Sequence, residues 1–180
     1  FNILDDVEVN NNMIKIVDNF FENKLFLSVK KHITTNIYYT PRYFDDTKEK
    51  NDANYYGSRF ILSKDQKLLN TFKTTAESKF NIKIKQIDGD SGIDMRNLNH
   101  FKPHKDDNIA KINILIMLAG PTAVTNGTVF YSDDELDIHV GFKENRSVLF
   151  PSTLIHSQHA SNVPNLRRFT STLFVKDYEE

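Results

Sequence analysis

From Met13 to Phe21 the chain reads MIKIVDNFF, with apolar and polar positions alternating up to Val17. That period of two predicts a strand closing on the turn-forming pair Asp18 and Asn19. The next run, FFENKLFLSVKKHITTN, brings Phe20, Leu25, Leu27, Val29 and Ile33 near one side with lysines elsewhere, which predicts a helix. His32 falls late in that helix, where an imidazole complements the C-terminal dipole. Ile37 to Ser58 breaks both periods and mixes five tyrosines with Pro41, a charge run and Gly57, so a long loop is expected. Its Tyr38, Tyr39, Tyr43, Tyr55 and Tyr56 could form a substrate lid or a flap packed on the core. RFILS then predicts a strand, and Ser63 an N-cap for a second helix with Leu68, Leu69, Phe72 and Ala76 at helical spacing.

Beyond Asn81 the pattern is that of short strands: NIKIKQID, GIDMRNLNHFKPH, AKINILIMLAG, GTVFYS, LDIHVGF, SVLFPS and RRFTSTLFVKDY. Two helices followed by many strands predict an α+β, mainly β fold, with the strands closing into a sandwich or jelly roll. No internal repeat interrupts this layout.

Composition narrows the function. The chain has 180 residues, 39% hydrophobic and 26% charged, an ordinary balance that predicts one compact domain over residues 1–180. A net charge of -1 gives no electrostatic case for nucleic acid or an anionic membrane as the main partner. The acidic, Asn-rich start does not read as a signal peptide, and a soluble, intracellular, cytoplasmic protein is expected. Cysteine is absent, so any metal must be held by histidine and carboxylate.

FKPHKDD supplies one such pair. His104 and Asp106 stand two positions apart near a predicted strand end, and residues at that spacing on a strand share a face. His-x-Asp alone is commonly a surface salt bridge, and a third ligand is needed. VLFPSTLIHSQHAS offers His156 and His159. Two imidazoles and one carboxylate form a facial set that leaves open positions on Fe(II), although zinc and manganese accept the same ligands. Downstream, RRFTSTLF puts Arg168 and Thr170 on one strand face, with Arg167 on the other. A guanidinium pointing into a barrel is costly unless it meets an anion, and its fork matches the carboxylate of an organic acid.

The order His104-x-Asp106, His156, Arg168-x-Thr170 resembles the 2-oxoglutarate and Fe(II)-dependent oxygenases, in their prolyl 4-hydroxylase-like branch. Further motifs extend the resemblance from Met13 to Val175: the opening strand with its Asp-Asn turn, the strand Asn126-Gly127-Thr128-Val129-Phe130, and NRSVLFPS from Asn145. The family resemblance implies a double-stranded β-helix (jelly-roll) core with two N-terminal helices packed on it. It also implies that His104, Asp106 and His156 hold Fe(II), with the family spacing favouring His156 over His159. Arg168 would grip the distal carboxylate of 2-oxoglutarate, and Thr170 would assist. O2 would be the oxidant and ascorbate a possible reductant. In the strand where many relatives present a tyrosine to the co-substrate, this chain has Met117, with Asn113 the nearest polar group. Asn126-Gly127 replaces the usual Gly-Gly.

The implied activity is hydroxylation of a substrate C–H bond coupled to decarboxylation of 2-oxoglutarate to succinate. A prolyl residue in a peptide or protein is the leading substrate, clamped by the tyrosine-rich loop. A small metabolite is an alternative, as is a non-catalytic, metal-dependent binding module on a jelly-roll scaffold. A zinc hydrolase would need a general base from Asp107 or Glu144. His100 could line the substrate mouth or face solvent, and His139 reads as a surface residue.

Overall fold

A computed structural model describes residues 3–9, 12–43, 55–96, 102–122, 126–133, 135–159 and 167–180. Strands β1 (Ile3–Val9) and β2 (Asn12–Val17) form an antiparallel hairpin, and β1 extends the secondary structure into the acidic N-terminal stretch. Helix α1 (Asn23–Thr35) begins after Phe20 and Phe21, which are themselves core residues. It buries Phe26, Val29 and Ile33, whereas Leu25 and Leu27 are 39% and 57% exposed. The expected stripe was therefore displaced. At about 3.6 residues per turn, a face centred on Phe26, Val29 and Ile33 turns positions 25 and 27 to its flanks.

The segment Ile37 to Ser58 is not all loop. Strand β3 (Thr40–Tyr43) pairs with β4 (Tyr55–Ile61), and residues 44–54 lie outside the described residues. Pro41 fits because β3 is the last strand of its sheet, where a missing N–H breaks no ladder. A short 3-10 turn (Leu62–Lys64) takes up Ser63, so the cap of helix α2 (Gln66–Phe80) is Asp65 instead. Its carboxylate accepts the Leu68 N–H at 2.9 Å. Asn81 ends α2 in the left-handed region at φ 53°.

The remaining strands are β5 (Lys83–Ile87), β6 (Gly92–Arg96), β7 (Ile112–Ala119), β8 (Gly127–Ser132), β9 (Glu135–Gly141), β10 (Arg146–Pro151), β11 (His156–His159) and β12 (Arg168–Glu179). Among the described residues, nine strands make a large sheet in the order β1-β2-β10-β7-β12-β6-β4-β3, with β5 also on β12, and three make a small sheet in the order β11-β8-β9. Every residue of β7 is buried, and its alternation divides the interior in two. Ile112, Ile114, Ile116 and Leu118 pack with the buried faces of α1 and α2. Leu115 and Met117 point the other way, joining Val148 and Phe150 of β10 against Phe130, Val140 and Phe142 from the small-sheet side. The protein is thus mainly β, with a jelly-roll core and two helices on its large sheet. No helix among the described residues is long and apolar enough to cross a membrane.

The motif NRSVLFPS fastens these layers. Asn145, at φ 65°, donates to the Phe21 carbonyl at 2.9 Å and accepts the Phe21 N–H at 2.8 Å. Arg146 meets Asp18 at 2.7 Å, so the Asp-Asn turn is tied to the start of β10.

Candidate metal centre

His104 does not sit on a regular strand. It forms an isolated antiparallel bridge with His156, each backbone N–H donating to the other's carbonyl at 3.0 Å. Two residues later the Asp106 N–H donates to the Ser152 carbonyl at 2.9 Å, and the Asp106 carbonyl accepts from Ile109 and Ala110. The turn after β10 is held in place by Ser152, whose hydroxyl donates to the carbonyls of Ala110 and Lys111. Pairing across to the start of β11, rather than strand alternation, brings the side chains together.

One ligand atom from each of His104, Asp106 and His156 lies within 4.8 Å of the others. Nε2 of His156 is 3.3 Å from Asp106 Oδ2, and Nε2 of His104 is 3.8 Å from Oδ1. Both Nδ1 atoms face carbonyls, Lys102 at 2.9 Å and Leu154 at 3.0 Å. A carbonyl can only accept, which puts a proton on each Nδ1 and leaves each Nε2 facing Asp106, as a donor to the carboxylate when the ring is protonated and as a lone pair for a cation when it is neutral. Two lone pairs and a carboxylate converging on one point suit a divalent cation, and the donor set fits iron, zinc or manganese. Phe150 packs on the His156 ring with centroids 4.8 Å apart.

Electrostatics follow from this packing. Burial lowers the His104 pKa and His156 adds to that, against the Lys102 carbonyl and Asp106. For Asp106 burial acts upward, but the hydrogen bond and charge of His156, the charge of His104 and the Asn113 amide prevail and hold it below the usual carboxylate range. Asn113 was expected to face the co-substrate. Instead its Nδ2 donates to Asp106 Oδ2 at 2.6 Å from a fully buried position.

The three side chains open on a cavity of about 230 Å³ whose wall includes Leu115, Thr128, Phe150, Arg168, Thr170 and Phe174. Arg168 is 5% exposed. Its Nη1 donates to Asn126 Oδ1 at 3.0 Å and the Gly127 carbonyl at 2.8 Å, and its guanidinium lies 5.6 Å from the centroid of the Phe142 ring. Nε is buried without a hydrogen-bond partner among the described residues. Burial, aided by Arg96 and opposed by Asp94, pushes the group down to about 9. Arginine keeps its proton in proteins, so this is a buried cation held by neutral oxygens that would gain from an anion. Gly127 permits the arrangement, because a Cβ there would strike the Val140 carbonyl and lie 2.5 Å from His139 Nε2.

The other sequence candidates are distributed as follows. Thr170 is buried in the cavity wall two residues from Arg168, and Arg167 is exposed. Asp107 is exposed and absent from that wall, and Glu144 pairs with Lys30 at 2.6 Å, so neither is placed as a general base. Met117 is buried in the second core and His139 is half-buried on β9. His32 is 3.4 Å from Asp65. Tyr38 is 84% exposed. Tyr39 packs on Phe169 with its hydroxyl donating to the Ile33 carbonyl, as a flap residue would. Tyr43 and Tyr55 stack edge to face 5.9 Å apart. None of these four lines the cavity. His100 and the side chains of Tyr56 and His159 lie outside the described residues.

Sequence reasoning missed Arg42, Arg59, Asp94 and Arg96, all of which line the cavity. Asp94 is buried, with Arg59 Nε at 2.7 Å and Arg96 Nη2 at 3.3 Å. The alternation in GIDMR carried the signal, since Asp94 and Arg96 occupy one face of a strand whose other residues are largely apolar.

No protein-family model and no curated protein matches the sequence. Solved structures match the fold. An oxidoreductase of the 2OG-Fe(II) oxygenase family from Burkholderia pseudomallei is similar with a TM-score of 0.65 at 10% identity, over 92% of this chain and 84% of that one. A prolyl hydroxylase from Trichoplax adhaerens, in complex with a hypoxia inducible factor peptide, gives 0.61 at 11% identity over 91% and 83%. The epimerase SnoN, in complex with Fe3+, alpha ketoglutarate and nogalamycin RO, gives 0.61 at 9% identity over 91% and 78%. This chain has the fold of the 2-oxoglutarate and Fe(II)-dependent oxygenases. Within that fold its neighbours include both a peptide-binding hydroxylase and an enzyme of small-molecule biosynthesis.

Proposed function

We propose that the protein is a 2-oxoglutarate and Fe(II)-dependent dioxygenase. The observation that carries this reading is the buried Arg168, with its unpartnered Nε, in the same cavity as the His104, Asp106 and His156 ligand set. A metal-binding module has no need of that cation, whereas an oxo-acid co-substrate supplies its counter-charge. The three ligands hold the iron with Asn113 orienting Asp106, and Arg168 grips the distal carboxylate of 2-oxoglutarate with the Thr170 hydroxyl beside it. Phe150, Leu115 and Phe174 exclude water around the reacting atoms. Bound iron, 2-oxoglutarate and O2 supply the oxidation, yielding succinate, carbon dioxide and a hydroxylated substrate, with ascorbate as an auxiliary reductant.

The prolyl 4-hydroxylase-like motif order supports a prolyl residue in a peptide or protein as the substrate. The test is succinate formation by anaerobically purified protein given Fe(II), 2-oxoglutarate, ascorbate and air, with and without a proline-rich peptide. Succinate requiring iron, oxo-acid and oxygen, and rising with peptide, is the expected result. No succinate despite stoichiometric bound iron would overturn the oxygenase reading in favour of the binding module.

A further inference from the structure

Asn126, the residue before β8, is 3% exposed, and both ends of its carboxamide are engaged. Oδ1 accepts from Arg168 Nη1 at 3.0 Å, and Nδ2 donates to the Pro121 carbonyl at 3.3 Å. A guanidinium only donates and a carbonyl only accepts, so each partner permits the same single orientation of the amide. The main chain is committed too. The Asn126 carbonyl accepts the Phe142 N–H, and the Phe142 ring is the one whose centroid lies 5.6 Å from the Arg168 guanidinium. One residue thus holds an edge of Arg168 through its side chain and the ring packed on Arg168 through its backbone. Arg168 lines the cavity and Asn126 does not, so whatever Asn126 does for a ligand it does through the arginine.

Two features of this clamp bear on a ligand. Both protein bonds, to Asn126 Oδ1 and to the Gly127 carbonyl, fall on Nη1. The guanidinium has a second pair of parallel donors in Nε and Nη2, which matches the two oxygens of a carboxylate. The clamping oxygens are also both neutral, so they orient the guanidinium without cancelling its charge. Aspartate has the same size and shape as asparagine and would make a bond about twice as strong to the same Nη1. Pairing an already buried cation, it would serve the fold at least as well. An amide in place of a carboxylate matters only if the charge of Arg168 is kept for something else.

We propose that Asn126 is a positioning residue for the co-substrate: it pins the Nη1 side of Arg168 so that Nε and Nη2, with their charge undiminished, meet the distal carboxylate of 2-oxoglutarate. This rests on the oxygenase reading and adds the residue that sets selectivity for a dicarboxylic over a monocarboxylic oxo-acid.

The test uses full-length protein loaded with Mn(II), which does not turn over, titrated under argon with 2-oxoglutarate and with 2-oxobutyrate. The second acid has the same keto and carboxylate end but no distal carboxylate, so the ratio of the two affinities reads the Arg168 contact alone. Wild-type protein is expected to prefer 2-oxoglutarate. That preference should fall about tenfold or more in Asn126→Asp, where the new carboxylate competes for the guanidinium, and about three- to tenfold in Asn126→Gly, where the clamp is lost. Affinities for Mn(II) and 2-oxobutyrate should not change in either. A role confined to the fold predicts the reverse order, with the isosteric Asn126→Asp like wild type and Asn126→Gly weakened for both acids alike. Full preference in either variant, or an equal loss for both acids, overturns the proposal. Wild-type protein that binds Mn(II) but shows no preference for 2-oxoglutarate refutes the oxygenase reading itself, and the proposal falls with it. Should Asn126→Asp fail to fold, Asn126→Gly decides by the same ratio.

Discussion

Asn113 donates its side-chain amide to Asp106 Oδ2 at 2.6 Å, from a position on the central strand β7 with no solvent exposure. The carboxylate between two imidazoles is thereby aimed by a neighbour that is itself immobilised in the sheet. Groups that orient a metal ligand typically contribute ten- to a hundredfold to affinity. Asn113→Leu is expected to weaken Mn(II) binding by about that factor with secondary structure retained, as measured by calorimetric titration and circular dichroism. Unchanged affinity would leave the amide with a packing role only.

On the proposed function, Arg168 and the three candidate ligands divide the work. His104→Ala or His156→Ala should abolish metal binding, whereas Arg168→Gln should retain the metal and lose about a hundredfold or more in 2-oxoglutarate affinity. Arg168→Lys should not restore it, because one ammonium cannot both replace the Nη1 bonds to Asn126 and Gly127 and offer a carboxylate a planar pair of N–H groups. Metal and oxo-acid titrations on each variant check the division, and equal loss of metal in all of them would refute it. His159→Ala should keep the metal, since the set of His104, Asp106 and His156 is complete without it.

Acid should unfold the protein through particular carboxylates. Asp18, held by Arg146 and Lys143, and Asp94, held by Arg96 and Arg59, both have lowered folded-state pKa values although burial acts the other way. A lowered value means that the unfolded chain takes up the proton first. The associated stability is present above the unfolded pKa of roughly 4 and is lost as pH falls through the folded values. Urea midpoints should begin to fall gently below about pH 6.5, where the lowered His104 value lets the unfolded chain take up a proton first, and decline more steeply below about 4 as these carboxylates are protonated. In Asp18→Asn the midpoint should drop by about 2 kcal/mol equivalent at pH 7, with a shallower acid decline. An unchanged acid limb would remove Asp18 from the account.

Gly127→Ala tests the seat of the arginine. The added methyl meets the Val140 carbonyl and His139, and relief requires β8 to shift, carrying with it the carbonyl that holds Arg168. A loss of about 2 kcal/mol in stability is expected together with weaker 2-oxoglutarate binding. Stability loss without any change in oxo-acid affinity would show that β9 gives way instead.

Helix α1 offers a control on packing. Phe26→Ala should cost about 3 kcal/mol, and Leu27→Ala, at a position 57% exposed, about 0.5 or less. Thermal or urea denaturation distinguishes them, and the reverse ranking would restore the face expected from the sequence.

By itself the sequence determined most of the strands, because period-two alternation is local and survives whatever lies beside it. It also displayed the ordered residues His104-x-Asp106, His156 and Arg168-x-Thr170, since spacing within a strand or turn is a property of the chain. Local patterns failed where a partner decides the outcome. Strand β3 exists because β4 lies beside it, the buried face of α1 is selected by β7 and α2, and Asp65 displaces Ser63 as cap once a 3-10 turn occupies Leu62 to Lys64. Tertiary structure alone decided that Asn113 faces Asp106 rather than the cavity. It likewise aligned Arg42, Arg96 and Arg168 from three distant segments, because cross-strand register, not proximity in sequence, sets which side chains meet.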